Sequence, residues 1–79
     1  MPEAHPLFAC IIRIWRERQH TIFTHADLIE ELNRLGIESD LAIDLRFLKA
    51  HGLIESRSPD TVMLTAYGMS QGIAFPFEG

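Results

Sequence analysis

Seventy-nine residues with 47% apolar and 23% charged side chains make one small domain spanning 1–79, near the lower size limit for folding without a staple. The single cysteine, Cys10, excludes an internal disulfide and fits a reducing, cytoplasmic setting, and the apolar runs are far too short for a membrane span or a secretory leader. A net charge of −4 weighs against duplex DNA as a ligand, because affinity for DNA comes mainly from Lys and Arg displacing counterions.

After a short polar lead, Pro6 suits the first turn of a helix, where a missing N–H is harmless. From Leu7 to about Arg18 the pattern is helical. Leu7, Ile11 and Ile14 form one stripe, with Phe8, Ile12 and Trp15 beside it and Arg13, Arg16 and His20 opposite. The apolar arc exceeds what a helix packed on one side needs. Two explanations stand: a helix at the centre of a very small core, or a homodimer seam along Phe8, Ile12 and Trp15. Cys10 lies within this run and reads as a buried, inert thiol.

Thr21-Ile22-Phe23 has the β-branched and aromatic content of a short strand. Thr24 then caps a second helix, with Asp27 completing a shortened capping box. Leu28, Ile29, Leu32 and Leu35 supply its inner face, Glu30, Glu31 and Arg34 its wet face, and Gly36 its end. Ser39 reads as the cap of a third helix, in which Leu41, Leu45 and Leu48 face inward before Gly52 stops it. Two helices joined through a glycine turn are a helix-turn-helix unit.

Leu53 to Ser56 reads as a strand, Ser58-Pro59-Asp60 as a turn and Val62-Met63-Leu64 as the returning strand. Thr65 caps a last short helix, AYGMSQ, that stops before Gly72, and the tail IAFPFEG reads as packed down. The predicted fold is mainly α with a small β-hairpin. Its order of three helices, short strand, wing and short C-terminal helix is that of a winged helix-turn-helix.

Two segments carry a family resemblance. DLRFLKAHGLIES resembles the recognition-helix-to-wing segment of ArsR-type and MarR-type bacterial regulators, and VMLTAYGMS is similar to their post-wing Leu-Thr-x-x-Gly segment. The resemblance implies a winged-helix fold with Ser39–Ile54 in the recognition position. It covers about a third of the chain and does not extend to the residues that touch DNA. Where ArsR-type proteins carry small polar, Gln or Arg, and His residues, this chain has Ala42, Ile43 and Asp44, and it lacks their Cys-x-Cys metal motif.

The outward arc of the third helix holds Asp40, Ile43, Phe47 and Ala50, with Asp44 at its edge. Base edges are read by Arg, Lys, Asn and Gln near the start of such a helix, and two carboxylates there place negative charge where phosphates would sit. Ile43, Phe47 and Ala50 are either a second buried stripe or an exposed apolar surface for a protein partner. The expected contact set is Asp40, Ile43, Asp44 and Phe47, with Arg57 from the wing. The alternative is a homodimeric DNA-binding regulator with Arg46, Lys49 and Arg57 on phosphates. The Arg13, Arg16, Arg18 and His20 group reads as a solvated helix face. His5, His20, His25 and His51 have neither helical i, i+4 pairing nor a Cys partner, so no metal is expected. No phosphate loop, nucleophile elbow or carboxylate pair suggests catalysis, no cofactor is implied, and a domain this small leaves little room for a pocket of about 300 Å3.

Overall fold

A computed structural model describes residues 5–74. Among them are four helices and one three-stranded antiparallel sheet, a mostly helical arrangement. In chain order these are α1 (Pro6–Arg18), β1 (Ile22–Thr24), α2 (His25–Leu35), α3 (Leu41–Ala50), β2 (Ile54–Ser58), β3 (Thr61–Leu64) and α4 (Ala66–Ala74). The sheet order is β1-β3-β2: Ile22 pairs with Met63 and Phe23 with Val62 on one side of β3, and Ile54 with Leu64 on the other. The tail's Phe75, Pro76 and Phe77 lie outside the described residues.

The boundaries of α1 and α2 and the start of α3 have chemical causes. Pro6 opens α1 and the imidazole Nδ1 of His5 accepts the Leu7 N–H at 3.2 Å. At the other end Gln19 takes the left-handed conformation (φ 61°). The box on α2 is complete: Thr24 Oγ1 accepts the Asp27 N–H at 3.0 Å and Asp27 Oδ2 accepts the Thr24 N–H at 3.2 Å. Gly36 ends α2 at φ 69°, a conformation in which a Cβ would be strained. The cap of α3 is Asp40, not the expected Ser39: Asp40 Oδ1 accepts the Ile43 N–H at 3.3 Å, and the Ser39 hydroxyl donates to Asp44 instead.

The core centres on α1. Leu7, Phe8, Ile11 and Ile12 have no exposed surface, and Leu28, Leu32, Leu45, Leu48, Phe23, Leu53, Ile54, Val62 and Leu64 close around them from the other helices and the sheet. Fully burying one such side chain contributes about 1.5–3 kcal/mol. The dimer seam is corrected here in two of its three residues: Phe8 and Ile12 are fully buried inside one chain, while Trp15 packs half-buried against the same core. α4 lies across α1, where a Cβ on Gly72 would press into the Ile12 side chain, and the helix runs through Gly72 to Ala74 rather than stopping before it. Cys10 is buried within α1, and burial pushes its thiol up to about 11, which suits an unreactive packing residue.

The two segments that carry the family resemblance meet in space. Gly52 (φ 73°) turns the chain from α3 into β2, and the Thr65 hydroxyl at the start of α4 donates to the Gly52 carbonyl at 2.6 Å. The same hydroxyl oxygen accepts the Gly68 N–H at 2.9 Å, while the Thr65 N–H donates to the Leu53 carbonyl at 3.1 Å. Gly68 lets α4 lie directly on that carbonyl, because a Cβ there would collide with the Leu53 oxygen. This joint fixes the angle between α3 and the hairpin.

Two residues of α2 differ from their expected positions. Ile29 is 47% exposed rather than inward, and Glu31 is buried rather than wet. Glu31 accepts from Arg34 at both carboxylate oxygens, Oε1 from Nε at 3.2 Å and Oε2 from Nη2, and has Arg18 Nη2 at 3.9 Å. The Arg34 hydrogen bonds hold its carboxyl below the usual range. With the folded pKa depressed, this contribution to stability is present above the unfolded pKa and is lost as pH falls through the folded value. We expect Glu31→Gln to destabilise the protein by about 1 kcal/mol at pH 7, a modest figure because Arg34 and Arg18 are half exposed. Thermal unfolding followed from pH 7 to pH 3 checks this: the gap between variant and wild type closes in acid, and a gap constant with pH would remove the ionised pair as its cause.

Candidate functional site

The helical repeat that buries Leu45 and Leu48 turns Ile43, Phe47 and Ala50 to the opposite side of α3. Ile43 is 60% exposed and Phe47 37% exposed, so the second-buried-stripe reading does not hold; the two residues form a ridge on the surface. Asp40 and Asp44 flank the N-terminal half of that ridge, while Arg46 and Lys49 stand exposed toward its C-terminal half. Both carboxylates are fixed. Asp40 is the helix cap, and Asp44 accepts from the Ser39 hydroxyl and has His5 Nε2 3.3 Å away.

His5 is the residue that sequence reading missed at this site. Assigned to a polar lead, it instead bridges two elements: Nδ1 caps α1, Nε2 reaches Asp44, and its ring stacks on Phe47 with centroids 5.1 Å apart and planes at 21°. His51 meets the same Phe47 ring at 4.4 Å and 53°. His5 Nδ1 accepts the Leu7 N–H while Nε2 lies 3.3 Å from Asp44 Oδ1, so the two ring nitrogens face different elements. Phe47 is thus oriented by two imidazoles while part of its ring faces solvent. The local signal was His-Pro ahead of a helical run, but the partners lie on α3, about forty positions away.

The hairpin delivers Arg57 separately. Ser56 pairs with Val62 and Ser58 with Thr61, which leaves Arg57 as the extra residue of a bulge, its guanidinium 3.4 Å from Met63 Sδ. Among the described residues it shares no hydrogen bond or ion pair with α3. The turn is folded back on the domain: Asp60 Oδ1 accepts from Ser58 and Thr61 at 3.0 and 3.2 Å, which lowers the Asp60 pKa, and the Asp60 carbonyl accepts the His25 N–H at 2.8 Å. The contact set therefore divides. Asp40, Ile43, Asp44 and Phe47 form one face, and Arg57 belongs to the hairpin.

On α1, Arg13 pairs with Glu17 at 3.4 Å and Arg18 with Glu31, so part of the basic group is committed to neighbours within the fold. Among the described residues no group of three His, Cys, Asp or Glu side chains is placed to hold a metal ion, and no helix is long and apolar enough to cross a membrane. An open groove of about 280 Å3 runs between α2 and the start of α3, lined by Ile29, Leu32, Asn33, Ile37, Glu38, Ser39 and Leu41. No family model, curated protein or solved structure matches the chain.

Proposed function

We propose that the chain is a non-catalytic winged-helix module of the cytoplasm that works by contacting a protein through the outer face of α3. The element order, the β1-β3-β2 sheet and the Gly52–Thr65 joint support the winged-helix assignment. The observation that carries the function is the exposed Ile43–Phe47 ridge with Asp40 and Asp44 on its flank. An apolar ridge gains by being covered by another apolar surface, whereas in a major groove it would put two carboxylates among phosphates and turn Ile43 and Phe47, which carry no hydrogen-bonding group, to the bases. Arg57, out on the hairpin, forms the edge of the contact in this reading.

The competing reading is a duplex-DNA-binding regulator using Arg46, Lys49 and Arg57, and one titration separates the two. Random duplex DNA added at low salt to the isotope-labelled chain is expected to leave the amides of Asp40 to Phe47 unmoved; shifts there that vanish as salt rises would overturn the protein-contact reading. A protein captured from the native host by the wild type is expected to be lost with Ile43→Asp and retained with Arg46→Gln. The reverse pattern would favour the cationic edge.

A further inference from the structure

The groove between α2 and α3 lies beside the Ile43–Phe47 ridge, and neither Ile43 nor Phe47 lines it. Its floor is apolar: Leu32 is buried, Ile37 and Leu41 are half-buried, and Ile29 stands 47% exposed on its wall. The groove holds about 280 Å3 and is open to solvent, with room for an inserted side chain.

The rim determines which residues can flank that side chain. Glu38 and Ser39 line the groove and continue into an open shelf with Asp40, Leu41 and Asp44. No lysine or arginine lines either part. Arg34, the cation of α2, is turned away to Glu31 on the other side of the helix. The N-terminus of α3 contributes about half a positive charge, which three carboxylates outweigh. Asp40 and Asp44 are held in place by the Ile43 N–H, Ser39 and His5, while Glu38 makes no hydrogen bond or ion pair among the described residues. The exposed Asn33 amide, on the groove wall, offers a donor and an acceptor to a peptide backbone.

We propose that this groove binds a basic peptide segment of a partner protein, seating one apolar side chain over Ile29, Leu32, Ile37 and Leu41 with flanking Lys or Arg on Glu38, Asp40 and Asp44. Charge complementarity selects this occupant: an acidic or phosphorylated ligand would meet the carboxylates with like charge. A pocket-filling apolar anchor supplies affinity and the carboxylate rim supplies steering and register. The proposal rests on the reading of the chain as a protein-contact module; it shares Asp40 and Asp44 with the α3 face but has its own apolar floor, so Ile29→Asp and Ile43→Asp separate the failure of one from that of the other.

The test is titration of the isotope-labelled full chain with short Lys- and Arg-flanked peptides whose central residue is Leu, Ile, Met, Phe or Ala. We expect amide shifts at Ile29, Asn33, Ile37, Glu38 and Leu41, and affinity at least about tenfold weaker for the Ala-centred peptide. Ile29→Asp and Glu38→Lys, both at exposed positions, are expected to lose the same tenfold or more. Asp40→Asn keeps the helix cap and removes the charge, and is expected to weaken binding and its salt dependence together. No shifts with any peptide, or equal binding of the Ala-centred peptide, would overturn the proposal. Shifts confined to Ile43 and Phe47 would overturn it too while leaving the α3 ridge as the contact face.

Discussion

Gly68→Ala is expected to destabilise the protein by about 3 kcal/mol, although alanine is the better helix former by about 1 kcal/mol. Two effects oppose each other and sterics wins. Gly68 sits in α4 without a left-handed φ, so propensity alone favours the substitution. The new Cβ, however, would collide with the Leu53 carbonyl oxygen, lie 3.1 Å from that carbonyl carbon and 2.8 Å from Leu64 Cδ1. The obstacle is mainly backbone that already accepts the Thr65 N–H, so relief requires moving α4 off the joint. Overpacking of this kind costs about 1–3 kcal/mol, and a backbone collision belongs at the upper end. For a domain of this size that lowers the melting temperature by more than about 10 °C. Thermal unfolding followed by circular dichroism checks it; an unchanged or raised midpoint would mean that α4 does not rest on Leu53. Gly72→Ala should be milder, because the atoms it meets are the Ile12 side chain rather than backbone.

The second large effect lies on α3, where neighbouring faces of one helix should respond in opposite ways. Leu48 has no exposed surface, and Leu48→Ala should cost about 2–5 kcal/mol through lost burial and the cavity left behind. Ile43 is 60% exposed, and Ile43→Asp should change stability by no more than about 0.5 kcal/mol. The new carboxylate would stand in the first turn of α3, where the helix dipole favours it. Urea unfolding of the two variants gives the comparison directly. If Ile43→Asp unfolds the domain as readily as Leu48→Ala, the ridge is core and the contact face is lost. Phe47→Asp is intermediate, since it removes the ring that His5 and His51 stack against.

Features written within a few residues of one another were legible in the sequence. The Thr24–Asp27 box, the glycines at 36 and 52, the Thr65 cap and the Leu41-Leu45-Leu48 spacing each define a local geometry that the structure keeps. Where two capping residues stand side by side, as Ser39 and Asp40 do, local chemistry permits either, and the choice follows from the engagement of Ser39 by Asp44. Glu31 was illegible because its burial depends on which side of α2 meets α1, where Arg18 closes over it. The same packing choice leaves Ile29 outside. At the site, the outward direction of Asp40, Ile43, Asp44 and Phe47 followed from helical periodicity, but their exposure did not, because periodicity cannot say whether another element covers a second apolar stripe. The contribution of His5 comes from a segment remote in sequence, and no local pattern encodes a contact of that range.

The bulge at Arg57 has a consequence for the sheet itself. With β3 in the middle, β1 and β2 are both edges, and an edge strand offers unpaired backbone groups to any passing strand. β1 is three residues long. On β2 only Ile54 is buried; Glu55, Ser56, Arg57 and Ser58 are exposed, the bulge interrupts the regular spacing of N–H and C=O groups, and Pro59 comes directly after. Charge, irregularity and brevity together make this edge a poor template for edge-to-edge association between copies. Arg57, as the bulged and charged residue of β2, thereby makes the sheet margin a poor pairing surface whatever the hairpin meets.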